Sequence, residues 1–210
     1  PYLTSGTKRY TGTVDALHGA IDYIDRCNAE NIVLCRADSV ANVDIGAAVE
    51  SHIEKGADVT FVYHNGEPPV NNEETVYPLF GSGKRIKEMK FGLKSSEKTD
   101  YCLGVAVISR KLLMSLVTEG YEDGAVSFTK DIVAKNIGKL KVYGFEHKEF
   151  VRVFDSMDSY YKASMELLNS DVRRQLFNSN RPVFTKTRDD MPTRYGTKSE
   201  VKNCLIADGC

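Results

Sequence analysis

The chain has 210 residues, 41% of them hydrophobic and 27% charged, with a formal net charge of −1. That composition supports a sizeable hydrophobic core and gives no electrostatic case for nucleic acid or an anionic membrane as partner. Its longest apolar runs, such as VAVI at residues 105–108, have strand length, and no charged-apolar-small leader opens it, which predicts a cytoplasmic protein.

In chain order, Thr13 reads as the N-cap of a helix carrying Val14, Leu17, Ile21 and Ile24 on one stripe, with Asp15 in its first turn. NIVLC at 31–35 reads as a buried parallel strand that ends at Arg36, Ala37 and Asp38. A helix over 44–55, stopped by Gly56, and a strand over 58–64 follow. This helix-strand alternation argues for a doubly wound α/β sheet. Residues 75–80 and 85–90 flank Gly81-Ser82-Gly83 as a hairpin. GSGK there lacks a following Ser or Thr and precedes no helix, so it reads as a turn and not a phosphate loop. A strand over 101–109 contains Gly104, and a helix over 110–118 is closed by Glu119-Gly120. Ser127 caps a helix over 128–136, strands follow at 139–145 and 150–154, and an amphipathic helix covers 157–168. Asp171 caps a short basic helix over 172–177, after which the text turns Thr-, Arg- and Asp-rich through Gly196. The 5 cysteines are scattered without a CxxC pair and read as free thiols of a reducing compartment. The four histidines have no metal-site spacing and receive no role. Neither end of the chain falls at a natural boundary, which predicts a central piece of a longer protein.

Four segments carry a family resemblance: YTGTVDAL at 10–17, SHIEKGADVTFV at 51–62, FVRVFDSMDSYYKASMELL at 150–168 and RDDMPTRYGTKSEVKNCLIADGC at 188–210. Together they resemble the bacterial ADP-glucose pyrophosphorylases (glucose-1-phosphate adenylyltransferases), most nearly the catalytically degenerate, regulatory D-type subunit. The resemblance implies a doubly wound, mostly parallel, Rossmann-like nucleotidyltransferase domain over residues 1–178, without the family's N-terminal phosphate-loop strand. It implies a linker over 179–198, and the first coil of a left-handed parallel β-helix over 199–210. It also implies chemistry that joins ATP and glucose 1-phosphate into ADP-glucose and pyrophosphate with Mg²⁺.

The same resemblance implies where the chemistry has been lost. Asp38 matches one metal-holding carboxylate of the family. The other comes from an Arg-Asp pair at a strand end, and here Arg152 is followed by Val153. A valine cannot ligate a hard cation. Asp155 does not substitute, because a shift of two along a strand moves the group about 6–7 Å. Tyr10, Gly12, Thr13 and Gly104 are retained as vestigial substrate-binding positions. The family's sugar-phosphate Glu-Lys-Pro becomes Phe91-Gly92-Leu93, flanked by Lys90 and Lys94. Its sugar-contacting Ser becomes Cys102, its Phe-Gly becomes Tyr77-Pro78, and its adenine-reading Gln becomes Gly19. Magnesium is therefore expected to bind weakly or not at all. Arg181, Lys186, Arg188 and Arg194 match a region that binds phosphorylated effectors, and the alternative is that they pair with Asp189, Asp190 and Glu200.

The implied role is a regulatory subunit that assembles with a catalytic paralogue, with no nucleic-acid or membrane partner. Two alternatives stand beside it. One is an active adenylyltransferase that recruits another carboxylate, Asp155 in particular. The other is an effector-binding module for sugar phosphates.

Overall fold

The computed structural model describes residues 9–69, 73–93, 97–184, 186 and 189–207. Among them the main sheet has the order β1 (Asn31–Cys35), β6 (Thr99–Ser109), β3 (Val59–Gly66), β7 (Val142–Glu146). β3 and β7 are parallel, whereas β6 is antiparallel to both β1 and β3. β1, β3 and β7 thus share one direction and β6 runs against them, so the sheet is mixed and not wholly parallel. The sequence reading of 31–35 as a buried parallel strand needs the matching correction. β1 is a half-buried strand at the sheet edge, antiparallel to its neighbour. Its continuous apolar text suggested a parallel interior strand, but that text arises because Ile32 and Leu34 pack on the first core and Val33 on the second, whichever way the strand runs.

The two faces of this sheet bury two cores. Phe61 and Tyr63 of β3 and Cys102, Ala106 and Ile108 of β6 point to one side, with Val14, Leu113 and Ile132. Val62 of β3 and Leu103, Val105 and Val107 of β6 point to the other, with Ala48 and Val151. Burial on both faces is why β6 lacks the polar-apolar alternation of a half-exposed strand.

The first core is roofed by α1 (Thr13–Gly19), α2 (Ile21–Asp25) and α4 (Arg110–Glu122). α3 (Ile45–Glu54) lies on the second, with Asp44 as its N-cap and Gly56 just beyond it at φ +54. β4 (Val76–Phe80) and β5 (Ile86–Phe91) form the expected hairpin. A small ribbon pairs β2 (Ser39–Ala41) with β8 (Val151–Val153), and α5 (Met157–Glu166) and α6 (Ser170–Leu176) follow.

Several local expectations are corrected. The helix read over 13–24 breaks at Ala20 into α1 and α2. Its cap is Gly12, because the Thr13 hydroxyl is turned away to accept from the Phe128 amide at 2.8 Å. α4 runs through Gly120 to Glu122, and the chain turns at Gly124, φ +73. Gly120 serves packing instead, since a Cβ there would lie 2.4 Å from Ile132 Cδ1. Residues 128–134 wind as a wide π-type turn capped by Ser127. α6 is capped by Asn169, whose Oδ1 accepts from the Asp171 amide at 2.9 Å, and not by Asp171. Residues 189–207 contain no helix or strand.

Candidate functional site

β1 ends in the main sheet and the chain crosses at once into β2, so residues 36–38 form the corner between sheet and ribbon. The Arg36 amide donates to the carbonyl of Gly104 at 3.0 Å. Gly104 sits where the β3–β6 register shifts, between Val62–Val105 and Tyr63–Cys102, and has φ +72. That left-handed conformation strongly favours glycine in a strand bulge. On the ribbon side Ser39 pairs with Val153, and the Phe154 amide donates to the Asp38 carbonyl at 2.7 Å. The two positions read as the metal pair, Asp38 and Val153, are therefore brought side by side.

The Asp38 carboxylate is held by its own neighbour. Arg36 Nε donates to Oδ1 at 3.2 Å, and Nη2 forms a second, closer bond to Oδ2. Arg36 Nη1 also faces Glu74 Oε2 at 3.8 Å. The crevice that Arg36, Asp38, Gly104 and Val153 line has a volume of about 10 Å³, room for a single water at most. Magnesium binds through oxygen ligands and keeps several waters of its own. The residues present do not fit that ion.

Two larger depressions adjoin the crevice. One, of about 250 Å³, is lined by Thr13, Leu17, Arg36, Phe61, Gly104 and Phe128 among others, so Thr13 and Gly104 face a common space. Its lining is largely apolar. Cys102 also borders it and belongs to the first core, where burial pushes its thiol pKa upward and leaves it a poor nucleophile. The other, of about 450 Å³, is lined by Glu67, Tyr101, Arg152, Val153, Asp155 and Lys162 among others. Arg152 is clamped there by Glu166, Nε to Oε2 at 2.7 Å and Nη2 to Oε1 at 2.5 Å. Burial pushes the Tyr101 hydroxyl up to about 12. Asp155 lies in the cap of α5, its amide donating to Ser159 Oγ at 3.1 Å.

Tyr10 lies against Gly19 at the end of α1, and Gly12 caps its start against Val126. A Cβ on Gly19 would meet the Tyr10 ring at 3.1 Å, and one on Gly12 would lie 2.4 Å from the Val126 carbonyl oxygen. Gly12 is thus explained by close backbone approach. In the hairpin region, the Tyr77 hydroxyl donates to the Leu93 carbonyl at 2.8 Å. Lys90 is exposed, and Lys94 lies outside the described residues.

The four basic linker positions have different settings. Arg181 pairs with Asp44 at 3.4 Å and with Glu149, and the Asn42 amide donates to the Arg181 and Leu176 carbonyls at 2.8 and 2.7 Å. Its carboxylate partners lie in the α/β domain and are not the Asp189, Asp190 and Glu200 considered from sequence. Lys186 and Arg194 are exposed, and Arg188 lies outside the described residues. Sequence reasoning missed Arg36, Glu74 and Asn42 altogether. The sequence offered one signal for Arg36, a basic residue two positions from the carboxylate at a strand end.

No family model matches the chain. It is similar to the glycogen biosynthesis protein GlgD of Bacillus subtilis, 27% identical over 190 residues, covering 90% of this chain and 45% of that protein. GlgD of Geobacillus stearothermophilus is 28% identical over 210 residues, covering 100% of this chain and 51% of that protein. The glucose-1-phosphate adenylyltransferase of Fervidobacterium nodosum is 25% identical over 214 residues, with 100% and 51% covered. The chain spans about half the length of the curated relatives it matches.

Proposed function

We propose, for a chain related over its whole length to the ADP-glucose pyrophosphorylase family on its GlgD-like side, a role as a non-catalytic or weakly catalytic regulatory subunit in glycogen biosynthesis. In this reading it assembles with a catalytic paralogue that makes ADP-glucose and pyrophosphate from ATP and glucose 1-phosphate. The observation that carries the reading is Val153 standing beside Asp38, where the chemistry of the family calls for a second carboxylate. Two phosphate-bearing substrates repel one another, and a cation held by carboxylates offsets that repulsion in the transition state. One carboxylate engaged by an arginine supplies no such ion.

The chain's own residues still shape a site. Thr13 and Gly104 border the apolar depression, Arg152 and Lys162 line the other while paired with Glu166 and Asp158, and Gly12 caps the start of α1. We assign residues 1–178 to the nucleotidyltransferase-like domain, 179–198 to a linker and 199–210 to the start of a left-handed β-helix. Lys186 and Arg194, with Arg188, are the proposed contacts for a phosphorylated effector, and Arg181 positions the linker that carries them. A subunit without turnover can still shift its partner's affinity through a coupling free energy of about 1–3 kcal/mol.

The test is to assay the catalytic paralogue with and without this chain. A changed apparent affinity for ATP, glucose 1-phosphate or a phosphorylated effector supports the reading, and identical kinetics with no association would remove it. A second reading, an active adenylyltransferase, draws on Asp155, which lines the same depression as Arg152 and Lys162. If the chain turns over by itself and Asp155→Asn abolishes that turnover, this second reading replaces the first.

A further inference from the structure

We infer that Arg36 is a resident cation that takes the place of a divalent metal at Asp38, so that the site is closed to metal by a charge as well as by Val153. The inference rests on reading Asp38 and Val153 as the former metal pair. The guanidinium bridges two carboxylates, engaging Asp38 through Nε and Nη2 and facing Glu74 through Nη1 at 3.8 Å. It therefore lies between the acidic groups nearest the crevice, where it satisfies the charge that would otherwise draw a cation.

The backbone holds it there. The Arg36 amide is tied to the Gly104 carbonyl at 3.0 Å, and the aliphatic stem crosses the bare α-carbon of Gly104. A Cβ at that position would lie 2.3 Å from Arg36 Cδ and 2.6 Å from Cγ. The bulge glycine thus makes the track along which the side chain reaches Asp38. A consequence follows for any attempt to restore the site. Replacing Val153 by aspartate returns the missing carboxylate but leaves the arginine in possession. Both changes are needed before a metal has oxygen donors without a competing positive charge.

The experiment uses the full chain and Mn²⁺ alone as probe, read by paramagnetic broadening of the Asp38 and Glu74 backbone amides in NMR spectra. Unmodified chain, Val153→Asp, Arg36→Gln and the double variant are compared, each first checked for native amide dispersion. The unmodified chain is expected to show no broadening confined to these amides, and Val153→Asp to show it only at high Mn²⁺ concentration. The double variant is expected to show it at Mn²⁺ concentrations at least about tenfold lower than Val153→Asp. Arg36→Gln alone is expected to show weaker broadening of both amides, and it decides the question should the two chains carrying Val153→Asp fail to fold. Equal broadening in Val153→Asp and the double variant would overturn the inference, as would none in a folded Arg36→Gln and a folded double variant. Because the readout is metal binding and not turnover, the inference can fail while the regulatory role of the unmodified chain stands.

Discussion

The side chain of Arg36 lies across the α-carbon of Gly104, so that a methyl group at 104 would fall within 2.3 Å of Arg36 Cδ. Gly104 also has φ +72. Gly104→Ala therefore has two separable costs. Left-handed backbone costs an ordinary residue about 1–2 kcal/mol, and displacing a packed neighbour adds about 1–3 kcal/mol. Denaturant unfolding should register a loss of about 2–5 kcal/mol. In Gly104→Ala/Arg36→Ala the contacts with Cδ and Cγ are removed and only the one with the residue-36 Cβ at 2.9 Å remains, so most of the steric part should be relieved, giving a coupling energy of about 1 kcal/mol or more in a double-mutant cycle. Strict additivity would show that the two residues do not meet.

Gly12 makes a similar argument with a functional edge. Its φ of −175 is ordinary extended backbone, so the demand for glycine comes from space alone. The obstacle is the Val126 carbonyl oxygen, which also accepts from the Val14 amide at 3.1 Å. Backbone cannot give way as a side-chain end can. Gly12→Ala should destabilise by about 2 kcal/mol or more, by the cost of overpacking. Stability unchanged, with only nucleotide affinity lost in a calorimetric titration, would return Gly12 to a ligand-binding role.

Arg181 and Asn42 fasten the segment after α6 to the α/β domain. The arginine reaches Asp44 and Glu149, and Asn42 donates to two carbonyls. Isolated surface pairs contribute about 0–1 kcal/mol, but this guanidinium is part-buried and serves two acids. Arg181→Ala should cost about 1 kcal/mol, and Asn42→Ala about 1–2 kcal/mol for two lost bonds. Limited proteolysis should also cut faster beyond residue 182 in both variants. Unchanged cleavage would show that the latch does not hold the segment.

Stability should fall on mild acidification. Burial lowers the pKa of His52 below its ordinary 6.5, opposed in part by Asp58, and its Nδ1 sits 2.9 Å from the Thr60 hydroxyl. Burial lowers His147 in the same direction. For both, the unfolded chain binds a proton more readily than the folded one. Their contribution is complete above about pH 6.5 and is lost as pH falls from there through the lower folded values. Asp44 is also depressed, chiefly by the Ala47 amide, so a second decline belongs below its ordinary 3.8. Urea midpoints at pH 8, 6 and 5 should decrease in that order, and His52→Gln should flatten part of the slope. A midpoint that rises toward pH 5 would contradict the burial of these imidazoles.

Much of the fold was legible because local chemistry and tertiary context agree. Asp44 and Gly56 bracket α3 as cap and stop, and the hairpin at 76–91 follows its glycine-rich turn. Strand direction was not legible. β6 is apolar because cores cover both its faces, and that text is the same whichever way the strand runs. Thr13 and Asp171 looked like caps, but Thr13 is drawn off by the distant Phe128 amide and Asn169 caps α6 in place of Asp171. In the site, the juxtaposition of Asp38 and Val153 followed from family resemblance. The hold of Arg36 on Asp38 did not, because it depends on the Gly104 bulge, which periodicity does not reveal.

The central proposal is that this chain is non-catalytic or only weakly catalytic by itself. The direct measurement is pyrophosphate release from ATP and glucose 1-phosphate with Mg²⁺ by the purified full chain in the absence of any paralogue. The account predicts release at or close to the enzyme-free background across a range of Mg²⁺. Turnover at an ordinary enzymatic rate, of order 1 s⁻¹ or faster, would contradict it and would mean that carboxylates other than Asp38 and position 153 hold the metal.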